Sequence, residues 1–195
     1  NAIRPRDWSS DVCSSDLIEH ARGLHTARHG CSDRFAASAN RCLRHGSYSV
    51  YFWPRARRHP IMELMLGLQR SSRVRIAASH ISGSSSLSGF CALSARGVEI
   101  DVLTESTHRR VPFEVEQRLI HAGISVRRLV SDEWIPMHNK FARVEASSLR
   151  STIVGSFTWS EPSSRFHRAI GVVAAAPLLF TAFAARWANL AAAAE

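Results

Sequence analysis

His138 and Lys140 stand two positions apart in Met137-His138-Asn139-Lys140-Phe141-Ala142-Arg143-Val144-Glu145. On an extended strand, residues i and i+2 point to the same face, so the two side chains project together. The pair suits attack on a phosphodiester. A neutral imidazole approaches an anionic phosphorus centre without like-charge repulsion, and its pKa lies near working pH. An ammonium beside it can hold a non-bridging oxygen. Lys140 is also the one lysine among 25 basic residues, the rest being arginine. Ammonium is a compact point charge and guanidinium a wide planar fork, so a retained lysine marks a place for the compact charge. The competing explanation is chance, because GC-rich coding depletes lysine everywhere. Farther on, Gly155-Ser156-Phe157-Thr158-Trp159 supplies a hydroxyl, Ser156, able to donate to the same phosphate. Positioning and charge stabilisation are most of what phosphoryl transfer needs. These residue types call for no metal and no cofactor.

The elements that must carry these residues follow from periodicity and punctuation. Tyr48–Phe52 reads as a strand stopped by Pro54. Ile61, Leu64, Met65 and Leu68 have helical spacing. Val74–Ala78 is the next strand; a polar loop over Ser82–Ser86 leads into a helix ending at Ala95, with Gly97 as its cap. Val98–Leu103 alternates as a strand, Phe113–Ala122 is a helix closed by Gly123, and Ile124–Leu129 is a strand. Three apolar runs then follow quickly, Lys140–Val144, Ser151–Val154 and Ile170–Val173, with Glu145–Arg150 suited to a hairpin. Ala36–Leu43 reads as a short helix. The alternation predicts an α/β fold with a mixed, largely parallel sheet covered by helices on both faces. Ala169–Ala185 lacks charge, but Pro177 divides it. A buried strand followed by a packed helix, with Leu179, Phe183, Trp187 and Leu190 on one face, accounts for it better than a membrane span.

The order of elements and the motif His138-x-Lys140-x4-Glu145, followed by Gly155-Ser156-x-Thr158-Trp159, resemble the phospholipase D superfamily, cardiolipin synthases among them. That family carries H-x-K-x4-D and then G-S-x-N. The resemblance covers roughly Tyr48 to Leu190. It implies an α/β/α sandwich and a phosphodiesterase or phosphatidyltransferase working through a covalent phosphohistidine. It assigns His138, Lys140 and Glu145 to the catalytic motif and Ser156 and Thr158 to phosphate binding. It also implies a second histidine, from a second copy of the motif, that protonates the leaving alcohol. This sequence shows one copy. The second half is therefore expected either upstream in the same chain or in a homodimer partner.

Three positions depart from the family pattern. Glu145 replaces Asp and reads as an anchor for strand and hairpin rather than a proton carrier. Thr158 replaces Asn and loses an amide donor. Ala169 stands where the family has a Glu that orients the nucleophilic histidine, and Glu161 is the nearby carboxylate that could substitute. Trp159 reads as a packing residue at a domain or dimer seam, and Cys91 as a small core residue.

A net charge of +9 favours an anionic partner. The expected substrate is a phospholipid or other phosphodiester, with Trp134-Ile135-Pro136-Met137 as a lipid-facing mouth. Nucleic acid is the alternative, with Arg55, Arg57, Arg58, Arg109, Arg110, Arg127 and Arg128 as a groove. A degenerate, non-catalytic half is the third reading, supported by Ala169. Cys13, Cys31, Cys42 and Cys91 lack zinc or redox spacing. Neither a signal peptide nor a transmembrane run is evident, so a cytoplasmic or peripheral inner-membrane protein is expected. Trp8–Leu17 resembles a translated sequencing adapter, so residues 1–17 read as an artefact and the natural start as missing. Residues 18–46 read as an irregular tail of an upstream half, and 47–195 as the folded domain.

Overall fold

Eight strands form one sheet in the order β1-β2-β8-β7-β6-β3-β4-β5. The computed structural model describes residues 42–54, 59–108, 110–129 and 137–194. The strands are β1 (Cys42–His45), β2 (Tyr48–Trp53), β3 (Arg73–Ala78), β4 (Glu99–Glu105), β5 (Ser125–Leu129), β6 (Lys140–Ala146), β7 (Leu149–Gly155) and β8 (Ala169–Ala174). The helices are α1 (Pro60–Leu66), α2 (Ser84–Ala95), α3 (Phe113–His121), α4 (Glu161–Arg165) and α5 (Pro177–Ala192).

The α/β class and the helices on both faces agree with expectation; the largely parallel sheet does not. Between the named strands, parallel pairing is confined to β3–β4 and β4–β5, which α2 and α3 connect as crossovers. All other pairings are antiparallel. For the hairpins β1–β2 and β6–β7 the reason is chain length between strands. A parallel neighbour needs a crossover of a dozen or more residues, whereas a tight link forces reversal. β6 and β7 are joined only by Ser147 and Ser148, so they form a hairpin.

Alternation along the strands feeds two cores. On one face Val74, Ile76, Ile100, Val102, Ala142 and Val144 pack under Ile61, Met65, Leu87, Phe90, Leu93 and Leu119 of the first three helices. On the other, Ala77, Leu103 and Phe141 meet Trp187 and Leu190 of α5. Each fully buried large apolar side chain contributes roughly 1.5–3 kcal/mol. Pro177 starts α5 at a first-turn position, as its fixed φ allows. Arg143 lies 4.2 Å from the Phe180 ring centroid, which ties α5 to β6. Among the described residues no helix is long and apolar enough to cross a membrane.

The sheet begins before the expected domain start at 47. Cys42 and Leu43, read as a helix end, pair with Tyr51 and Val50 instead. Pairing with an adjacent strand satisfies their backbone groups where a short isolated helix would not be stable. The rest of that segment, and all of 1–41, lie outside the described residues. Gly97 follows α2 with φ +83°, the left-handed geometry a helix end commonly requires. Cys91, expected in the core, is only partly buried and packs against the core's margin from α2.

Candidate active site

Four strand ends meet at one edge of the sheet. Lys140 at the start of β6 pairs with Ala78 at the end of β3. Phe141 pairs with Val154 of β7, and Gly155 at the end of β7 pairs with Gly171 of β8. Side chains from these ends therefore crowd into one place although the sequence scatters them.

His138 lies just before β6 rather than within it. The ladder nevertheless extends one step, because the Ser79 amide donates to the Asn139 carbonyl at 3.2 Å. This holds the chain extended enough for the two side chains to meet. Lys140 Nζ is 3.0 Å from Nε2 and 3.2 Å from Nδ1 of His138. Burial, and then the Arg110 guanidinium, hold the Lys140 ammonium below its ordinary pKa.

Ser156 shares an open cleft with His138, Lys140, Gly155 and Ile170. Its backbone amide donates to the Ile170 carbonyl at 2.9 Å, and its Oγ accepts from the Ile170 amide at 3.1 Å. The hydroxyl's own proton is thus left to donate into the cleft. Gly155 makes this turn possible. A Cβ there would run into the Ile170 carbonyl oxygen and lie 2.9 Å from Gly171 Cα.

Thr158 reaches the other side of Lys140, in a narrow cleft lined also by Ser79, His80 and Trp159. Its Oγ1 is 2.8 Å from Ser160 Oγ, and its amide donates to Ser163 Oγ at 2.9 Å. Ser160 in turn accepts from the Ser163 amide as the N-cap of α4. Thr158 therefore braces the loop behind the lysine.

Glu145 is elsewhere. It lies opposite Arg150 across the hairpin, with 3.3 Å between carboxylate and guanidinium. It stands five positions along the strand from Lys140, about 17 Å at the usual rise. Glu161 does not support His138 either, since Ser84 at 3.3 Å and Arg165 at 3.0 Å engage it. Ala169 packs against the main core at the start of β8. Among the described residues, Lys140 alone is within hydrogen-bonding distance of the His138 ring.

Trp159 is buried within this domain, stacked on His59 at 5.2 Å and edge-on to Phe90 and Phe157. Met137 is buried under α5 rather than exposed to lipid, and Trp134–Pro136 lie outside the described residues. Of the arginines expected in a groove, Arg127 donates to the Ala191 carbonyl at 3.0 Å. Arg128 is spent on Glu116 and on the Glu105 and Val111 carbonyls. Arg55, Arg57, Arg58 and Arg109 lie outside the described residues. His80 was missed by the sequence reading. Its position directly after β3, at the carboxyl end of a parallel strand, was the available signal.

A family model, the phospholipase D-like domain of cardiolipin synthase, matches residues 67–190. The chain belongs to the phospholipase D superfamily. Its fold is similar to that of Nuc, a phospholipase D family member from Salmonella typhimurium. The two share 15% identity and a TM-score of 0.61, over 76% of this chain and 96% of that one. NucT from Helicobacter pylori gives 12% identity and a TM-score of 0.61, over 75% and 96%. Phosphatidylserine synthase from Haemophilus influenzae gives 14% and 0.55, over 76% of this chain and 40% of that one. No curated protein matches by sequence. Members of the superfamily are phosphodiesterases and transferases, and the motif edge described above is where this member carries its histidine and lysine.

Proposed function

We propose that the protein cleaves and transfers phosphodiesters of phospholipids through a covalent phosphohistidine on His138. The observation that carries this is the approach of Lys140 Nζ to both His138 ring nitrogens, with the Ser156 hydroxyl on the same cleft. A ring nitrogen of His138 attacks phosphorus, and the bond to the leaving alcohol breaks as the N–P bond forms. Lys140 and Ser156 hold non-bridging oxygens and offset the charge that builds there. The alcohol oxygen takes a proton from a second imidazole. Water or an acceptor alcohol then attacks phosphorus, returns a proton to that imidazole and releases His138. The second imidazole comes from a second motif-bearing half, upstream in the same chain or in a homodimer partner. The match to the cardiolipin synthase family favours a phosphatidyl substrate, met from the aqueous side of a membrane.

One observation favours a different reading. No described carboxylate reaches the His138 ring, so the domain is a non-catalytic half if orientation fails. The test is direct. The protein is incubated in chelator with phosphatidylglycerol vesicles and, separately, with single- and double-stranded DNA. Head-group release or transfer by the wild type, lost in His138→Ala, is expected. DNA cleavage without lipid turnover replaces the lipid reading with a nuclease. Binding without turnover replaces both with a scaffold.

A further inference from the structure

Arg110 is a second cation that the motif does not include, near enough for its charge to act on both Lys140 and His80. Arg110 lies in the loop after β4, and its backbone carbonyl accepts from the Ile81 amide at 3.3 Å. That contact pins the loop beside His80. The Arg110 Nη1 atom is buried and has no hydrogen-bond partner among the described residues. His80 lines the narrow cleft with Lys140 and Thr158, and its Nδ1 is 3.2 Å from Ser79 Oγ. The Thr158 hydroxyl on that cleft is already matched by Ser160. A neighbouring guanidinium, Arg128, has its carboxylate in Glu116; Arg110 has none among the described ion pairs.

A buried guanidinium nitrogen without an acceptor is costly. Within electrostatic reach of an ammonium and an imidazole, it is a group that a bound anion would satisfy. Electrostatics agree with the geometry. Burial, and then Arg110, Lys140 and His138, hold His80 below its ordinary pKa against a smaller opposing pull from Glu105. An oxyanion among these groups reverses the balance.

We propose that Arg110 and His80 form the second wall of the phosphate site, with Arg110 donating to an oxyanion opposite Lys140 and His80 gaining a proton as the anion binds. This rests on reading His138 and Lys140 as a phosphodiester site, and it names which further side chains hold the phosphate.

The experiment is calorimetric titration of the full chain with tungstate, a tetrahedral dianion, just above neutrality. Two buffers of different ionisation heat report proton uptake. Wild type is expected to bind with uptake of a proton. Arg110→Met weakens binding by about tenfold or more, the loss of one charge-assisted contact. Arg110→Lys, which keeps the charge, recovers part of it. His80→Gln binds but loses the proton uptake, and Arg44→Met on β1 changes nothing. Thermal melts of each variant separate misfolding from lost contacts. Binding by Arg110→Met within about twofold of wild type, or proton uptake that survives His80→Gln, overturns the proposal. The enzyme reading fails separately: phosphodiester turnover absent while tungstate binding still depends on Arg110 removes catalysis and leaves this wall in place.

Discussion

Lys140 Nζ lies 3.0 Å from Nε2 and 3.2 Å from Nδ1 of His138. A cation that near both nitrogens lies over the face of the ring rather than along either lone pair. In the proposed reaction it would meet a phosphate whichever nitrogen attacked. His138→Ala is expected to abolish turnover and to leave no acid-labile phosphoenzyme after a quench with labelled substrate. Lys140→Met is expected to lower kcat by about 10²–10³-fold, the usual loss for one oxyanion donor. Lys140→Arg should recover little, because the fork is too wide for a place shared with an imidazole. Near-wild-type kcat in Lys140→Arg removes the compact-charge explanation.

The same lysine opposes folding. Burial and Arg110 depress its folded pKa below the ordinary 10.5. The folded state therefore binds fewer protons than the unfolded chain between those two values, and stability rises with pH across that window. At neutral pH the full cost of the charged form is present. Lys140→Met is thus expected to raise the melting midpoint by roughly 2 °C while lowering activity. His80 has the same sign, being depressed below 6.5. Wild-type stability falls as pH drops below that ordinary value, and His80→Gln should flatten the slope in melts from neutral to mildly acid pH. An unchanged slope would show that His80 is not desolvated.

Much of the candidate site was legible because its residues are few and local. His138, Lys140 and Ser156 could be read from the motif, and the structure puts them on one cleft. Glu145 belongs to the same linear motif, yet strand geometry carries it to the opposite edge, where Arg150 takes it. Linear spacing cannot tell an edge that reacts from an edge that anchors. Strand positions were readable from apolar runs, but parallel against antiparallel pairing was not, because it depends on which strand each run finds. β8 lies between β2 and β7, a neighbour far away in sequence. Arg110 was legible as charge only. The burial of its Nη1 atom depends on a loop geometry that periodicity does not reach.

Arg128 ties that loop at both ends. Its guanidinium donates to the Glu105 carbonyl at 2.8 Å and the Val111 carbonyl at 3.1 Å. It also pairs in two-pronged fashion with Glu116, at 2.9 and 2.7 Å. Arg128→Met strands a partly buried Glu116 and is expected to cost about 2 kcal/mol in urea unfolding. The hydrogen bond from Arg128 holds the Glu116 carboxyl below its ordinary 4.5. A depressed acid contributes stability above its unfolded pKa and loses it as pH falls through the folded one. The difference between wild type and Arg128→Met should therefore shrink in acid. A penalty independent of pH points to lost packing instead of the ion pair. Tungstate binding should weaken with it, since Arg110 sits in the loop that Arg128 holds.

Gly155 links strand pairing to the site most tightly. A Cβ there would collide with the Ile170 carbonyl oxygen, the acceptor for the Ser156 amide, and lie 2.9 Å from Gly171 Cα and from Phe157 Cδ1. Two of these neighbours are backbone, so neither can swing aside. Relief requires β7 and β8 to part where the Ser156 hydroxyl is aimed. Gly155→Ala is expected to destabilise the fold by about 2–3 kcal/mol, as overpacking does. It should also lower kcat of the surviving folded enzyme more than Ser156→Ala does, because it moves the whole turn. Ser156→Ala removes one donor and should cost roughly tenfold or more in kcat, with a smaller loss of stability from the unpaired Ile170 amide. Equal stability of Gly155→Ala and wild type in urea would mean that the two strands are not held this close.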